Sequence, residues 1–196
     1  MKNVIRFLLI RLNHYFYGFI NLHVRKTIKM DIGYLSGDYG NCGIICAAMC
    51  IKYFGGDIVL DEKFLDSQKN QSTYIENIGW KHAGLKIIIE KYSTASAKIF
   101  RFKSLNYVLN CLNNNSPVIV SILAPSPTNL SQENVYESAD KKMGLEKHMV
   151  LCVGYDEKNI ILHDPRGIGI YSKNLKLPKS VFEKIFLGNG ITVTSQ

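Results

Sequence analysis

Residues 38–56 read DYGNCGIICAAMCIKYFGG, and the reading of this stretch decides the fold. Ile45, Met49 and Phe54, set among cysteines and alanines, predict a buried helix over residues 42–54 that closes at Gly55 and Gly56. A glycine-rich turn, Gly33 to Gly40, leads into it. Cys42 therefore stands in the first helical turn, where the positive end of the macrodipole lowers a thiol's pKa and raises its thiolate fraction. Gly40 and Gly43 leave the backbone open around that sulfur, so a carbonyl can approach and the Cys42 amide can donate to an oxyanion. Cys46 and Cys50 follow at i+4 and i+8, beyond the reach of the dipole, and read as small core residues.

Two other motif readings fail on spacing. The iron–sulfur loop of radical enzymes needs Cys-x3-Cys-x2-Cys, whereas these cysteines repeat at every fourth residue of a regular helix and converge poorly on one cluster. A phosphate loop needs Gly-x4-Gly-Lys-Ser/Thr, and here the glycines enclose Asp38 with no lysine. The five cysteines, Cys42, Cys46, Cys50, Cys111 and Cys152, form no even disulfide framework, which points to free thiols.

Moving outward, residues 79–93 and 104–115 read as two more helices, the second with Leu105, Val108, Leu109 and Leu112 on one face. Residues 116–123, SPVIVSIL, predict a strand entered through Pro117, and residues 126–147 a long polar surface loop of the kind that is often functional. HMVLCVGYD (148–156) and NIILHDP (159–165) then read as an antiparallel hairpin. Helices first and strands later indicate an α+β fold. The length of 196 residues and the 46% hydrophobic fraction suit a globular domain that holds its core without disulfides or metal.

The net charge of +8 is concentrated at one end. Residues 1–30 carry Lys2, Arg6, Arg11, Arg25, Lys26 and Lys29 and no acidic residue, so the chain divides into a basic amphipathic arm, 1–30, and a domain, 31–196. The body then has no strongly basic face, which argues against nucleic acid as a partner. Arg6, Arg11, Asn13 and His14 interrupt the apolar runs of the arm, which falls short of the ~20 residues needed to span a bilayer. It reads either as a contact for an anionic membrane surface or as a helix packed on the domain, with a cytoplasmic or membrane-peripheral location.

A cysteine nucleophile needs a base. His14 and His23 lie in the arm and His82 in a helix, where surface or packing roles are expected. His148 opens an apolar strand behind a polar loop, at a rim where a base can face a cleft. Asp164 closes the partner strand and can orient the imidazole. Hairpin register tests this pairing: a two- or four-residue turn sets Asp164 opposite Leu151, on the wrong face. A five-residue turn, or a bulge, sets it opposite Val150 and diagonal to His148. His163 then points away from Asp164 and is expected to be structural or at the surface, so a metal site of His148, His163 and Asp164 is not expected.

On these residues the chain resembles the papain-like cysteine peptidases of the bacterial bacteriocin-processing, double-glycine type and their stand-alone relatives. GNCGIICAAMCIKYFGG matches the nucleophile helix, LNNNSPVIVSI the central strand, and HMVLCVGYD with IILHDP the base and its orienter. The resemblance implies a papain-like fold, with a helical half that carries Cys42 packed on an antiparallel sheet that carries His148 and Asp164. It implies no metal and no organic cofactor. The interval from Cys42 to His148 is shorter than the ~130–150 residues of papain itself and fits the compact branch. Where the family carries a glutamine ahead of the nucleophile, this chain has Ser36, so the side-chain donor of an oxyanion hole falls to Ser36 or Asn41.

The resulting expectation is a cysteine peptidase-type hydrolase that cleaves an amide bond in a peptide or protein through Cys42, His148 and Asp164. A glutamine deamidase or an acyl transferase would use the same three residues. A silent peptide-binding module tethered by its arm is the reading from another class.

Overall fold

The computed structural model describes residues 27–37, 39–76, 78–125, 145–167 and 172–196. The expectations for the arm fall outside them as far as residue 26, and those for the polar loop over residues 126–144. The helices are α1 (Cys42–Tyr53), α2 (Glu62–Gln68), α3 (His82–Tyr92), α4 (Leu105–Asn113) and α5 (Lys179–Ile185). The strands are β1 (Ile28–Lys29), β2 (Tyr74–Ile75), β3 (Gly79–Trp80), β4 (Ala95–Phe100), β5 (Val118–Pro125), β6 (Leu145–Tyr155), β7 (Asn159–His163), β8 (Leu175–Pro178) and β9 (Phe186–Ser195).

The main sheet is antiparallel throughout and runs β4-β9-β5-β6-β7-β8, with β1 added on β6. Helix α1 packs against β6 and α3, and Ile44, Ile45, Cys46, Ala47, Ala48, Met49, Cys50 and Ile51 are all buried in the contact. Each such side chain withdrawn from water contributes up to about 1.5–3 kcal/mol, which is why a helix with hardly a polar side is stable only here. Gly43 lets α1 approach closely. A Cβ there would stand 3.0 Å from Met149 Sδ, 3.0 Å from Trp80 Cβ and 3.1 Å from Leu85 Cδ1.

The end of α1 is the predicted one: Gly55 takes φ +75°, its amide donates to the Lys52 carbonyl, and the Gly56 amide donates to Ile51. Other expectations need correction. Residues 79 and 80 belong to the small hairpin β2–β3, so α3 begins at His82. β6 begins at Leu145, and His148 lies inside the strand opposite Ile122, because residues 145–147 continue the ladder with β5.

The turn between β6 and β7 resolves the register question. Tyr155 pairs with Ile160 and Asp156 N–H donates to the Asn159 carbonyl, a four-residue connection that by itself would misalign Asp164. A bulge between Cys152 and Gly154 shifts the ladder by one, so Leu151 pairs with His163 and Asp164 comes next, toward Val150. β1 lies beside this bulge. Met30 N–H donates to the Val153 carbonyl, and a Cβ at Gly154 would stand only 2.2 Å from the Ile28 carbonyl oxygen. The sheet thus takes in residues that charge patterning assigns to the arm.

From β1 the chain continues along the ends of β6 and β7 before entering α1. The Ile32 carbonyl meets His163 Nε2 at 2.9 Å, the Tyr34 hydroxyl donates to the Asp164 carbonyl at 2.9 Å, and the Gly37 amide donates to Pro165. These bonds fasten the approach to Cys42 onto the turn that carries Asp164.

Candidate active site

Cys42, His148 and Asp164 arrive from three elements. Cys42 is the first residue of α1, behind a 3-10 turn at Tyr39–Asn41. His148 is held in the middle of a β5–β6 ladder, and Asp164 follows the last residue of β7. His148 and Asp164 are almost wholly buried, at 2% and 4% exposure, whereas Cys42 is only partly covered.

His148 Nε2 lies 2.8 Å from Asp164 Oδ1, and the imidazole and the Cys42 thiol each shift the other's proton affinity. With Nε2 engaged by the carboxylate, exchange of a proton with the sulfur falls to Nδ1. Burial alone would raise the Cys42 pKa, but the hydrogen bond from His148, its charge, and backbone hydrogen bonds of Met149 and Gly43 outweigh it and lower the thiol. Burial would likewise depress His148, yet hydrogen bonding and charge from Asp164 and Cys42 raise it above the ordinary histidine value. The two shifts bring thiol and imidazole toward each other, which is what proton transfer from sulfur to nitrogen requires.

Asp164 is anchored from its other side by Arg166, a residue that sequence reasoning missed. Arg166 Nε donates to Oδ1 and Oδ2 at 3.1 and 3.0 Å, Nη2 donates to Oδ2 at 2.5 Å, and its amide donates to Oδ1 at 3.0 Å. Burial would raise the Asp164 pKa, but His148 and Arg166 together hold the carboxyl far below its usual range. The signal was present in DPRG: an aspartate before proline forms a tight turn that brings residue i+2 back to its own carboxylate.

The two candidates for an oxyanion donor sit apart. Asn41 is the residue before Cys42, at the helix cap, with no side-chain bond to the cap amides. Ser36 packs on Gly167 and shares hydrogen bonding with Tyr34, on the Asp164 side of the site. Cys46 and Cys50 are fully buried and their thiols are pushed up by burial, as expected of core residues. His163 is buried between the Ile32 carbonyl and the Asn174 amide, and His82 Nε2 meets Ser121 Oγ at 3.0 Å. Among the described residues no group of three His, Cys, Asp or Glu side chains is arranged to hold a metal ion.

The sulfur opens into a cleft of about 430 Å³ lined by Gly40, Cys42, Tyr74, Ile78, Gly79, Glu146 and Lys147. The β2–β3 hairpin forms one wall and the start of β6 another. The combination can hold an extended chain against a polarised thiol.

Comparison with solved structures finds the same fold in three proteins. A candidate C39-like peptidase from Bacillus anthracis superposes with a TM-score of 0.59 at 17% identity, covering 88% of this chain and 99% of that one. The peptidase domain of Streptococcus ComA, a bifunctional ABC transporter of a quorum-sensing pathway, gives 0.55 at 15% identity, with 85% and 100% covered. Xylellain, a cysteine protease from Xylella fastidiosa, gives 0.60 at 11% identity, with 88% and 87% covered. No curated protein shows significant similarity to the chain. A family model does match, over residues 23–191, and with a buried helix packed on an antiparallel sheet it establishes that the chain belongs to the Peptidase_C39 like family of papain-like cysteine peptidases.

Proposed function

We propose that the protein is a cysteine peptidase that hydrolyses an amide bond in a peptide or protein substrate, with Cys42 as nucleophile, His148 as base and then acid, and Asp164 as the group that fixes the imidazole. The His148 Nε2–Asp164 Oδ1 pair, with the same imidazole lowering the pKa of a Cys42 thiol that lines an open cleft, is the observation that carries this reading. The substrate lies in the cleft with its scissile carbonyl over the sulfur. The thiol proton moves to His148 Nδ1, the thiolate attacks the carbonyl carbon, and the amides at the start of α1 stabilise the oxyanion. His148 returns the proton to the leaving amine. A water, deprotonated by the same imidazole, then releases the acyl group as a carboxylate and restores the thiol.

Asn41, next to the nucleophile, is the better side-chain donor to the oxyanion, since Ser36 is taken up by Tyr34 and Gly167. A peptide mixture incubated with the protein and read by mass spectrometry tests the proposal. Cleaved peptides and an acyl group trapped on Cys42, both lost in Cys42→Ala, are expected. Conversion of glutamine to glutamate without chain cleavage would assign deamidation instead, and acyl transfer to an added amine would assign a transferase. An unaltered mixture with no adduct would overturn the proposal.

A further inference from the structure

The fork that Arg166 places on Asp164 is more elaborate than a triad carboxylate requires. We propose that Arg166 is a positioning residue: it holds the Asp164 carboxylate ionised and aimed at His148 Nε2, and so sets the lower pH limit at which Cys42 is reactive. This rests on the assignment of Cys42, His148 and Asp164 above.

The geometry carries it in two steps. First, the Arg166 side chain is almost completely buried, 3% exposed, against a carboxylate at 6%, where opposite charges interact with little screening by solvent. An arginine remains protonated throughout the working range, so the charge it supplies is permanent. Second, the fork fixes orientation as well as charge. Nε bridges both carboxylate oxygens and Nη2 takes Oδ2, while Oδ1 meets His148 Nε2. The Arg166 amide closes on the same oxygen, and the Tyr34 hydroxyl holds the backbone carbonyl of Asp164 from the opposite side.

Among the described residues, four titratable groups besides Arg166 surround Asp164. His148 comes from β6, with Cys42 behind it, Cys46 from α1 and Tyr34 from the segment after β1. Of these, His148 and Cys42, which exchange a proton, are the groups whose charge sets the acid limb. With thiolate, imidazolium, carboxylate and guanidinium in a row, the charges alternate and cancel. Without the guanidinium the carboxylate takes up a proton at higher pH, the imidazolium loses its support, and the thiolate reverts to thiol.

The experiment follows the rate of Cys42 alkylation by iodoacetamide against pH in the full chain. In wild type the rate falls at low pH along an acid limb, and His148→Ala removes the His148-dependent reactivity. Arg166→Gln, neutral and similar in reach, is expected to move the acid limb up by about 1 pH unit or more. Arg166→Lys keeps the charge without the fork, so the limb stays in place while the maximal rate falls several-fold. A purely structural role would lower the melting temperature of Arg166→Gln and leave the limb unmoved. A folded Arg166→Gln with the wild-type profile overturns the proposal. If that variant does not fold, Arg166→Lys decides, and a wild-type maximal rate there overturns it. If wild type and His148→Ala react alike, the failure belongs instead to the proposed triad.

Discussion

Cys42 and Cys46 are one helical turn apart on α1, yet the fold treats them oppositely. Burial raises both thiols, and for Cys46 nothing opposes it: the sulfur is enclosed, within reach of the Met149 carbonyl at 3.7 Å, and its pKa is pushed well up. At Cys42 the imidazole of His148 and two backbone hydrogen bonds reverse the sign. Helix position also differs, because the field of the macrodipole is spent within the first turn. The contrast between the two thiols is a property of one turn of helix and of the strand packed beside it, and cysteine content by itself says nothing of it.

The largest effect that separates the two positions is on turnover. Cys42→Ala and His148→Ala are each expected to cost about 10⁶-fold in kcat, the scale seen when a nucleophile or its base is removed from a triad hydrolase, whereas Cys46→Ala keeps activity. Peptide-hydrolysis rates compare the three. Asn41→Ala follows, with a loss of ~10²–10³-fold in kcat if its amide serves the oxyanion, while Ser36→Ala stays near wild type. A loss in Ser36→Ala with Asn41→Ala near wild type would assign the donor to Ser36. Gly43→Ala tests the packing of the first turn on Met149, Trp80 and Leu85. Overpacking of about 1–3 kcal/mol should appear as a lower urea midpoint. Smallest is the stability cost of Cys46→Ala, about 1 kcal/mol for a lost sulfur contact in the core, read in the same denaturation series.

Much of this was legible in the sequence where side chains are large and regularly spaced. The run from Cys42 to Phe54 and its glycine stop appear as expected, as do α4 and strands β5 to β7. Strand β4 alternates correctly, but two of its inward residues are Ala95 and Ala97, whose small size gives little hydropathic signal. The β2–β3 hairpin has two residues per strand, too few for any period. Strand β9 carries Gly188 at φ +72° and Gly190 against the Ile119 carbonyl, which reads as a turn until its neighbours are known.

Within the site, the pairing of Cys42, His148 and Asp164 could be posed from the sequence only with a condition on register. A bulge between Cys152 and Gly154 met that condition, beside β1, which pairs with β6 from more than a hundred positions away in the chain. No local pattern could supply it. Arg166 lies two residues beyond Asp164, but a charged side chain in a turn ordinarily faces solvent, so sequence alone does not mark it as the partner of a buried carboxylate.

The most direct test of the central claim is the titration of Cys42 itself, followed as the difference in ultraviolet thiolate absorbance between wild type and Cys42→Ser. The structure predicts that Cys42 forms thiolate at lower pH than an ordinary cysteine does, with the transition moving upward in His148→Ala. Ordinary cysteine behaviour in both proteins, with no shift between them, would contradict it.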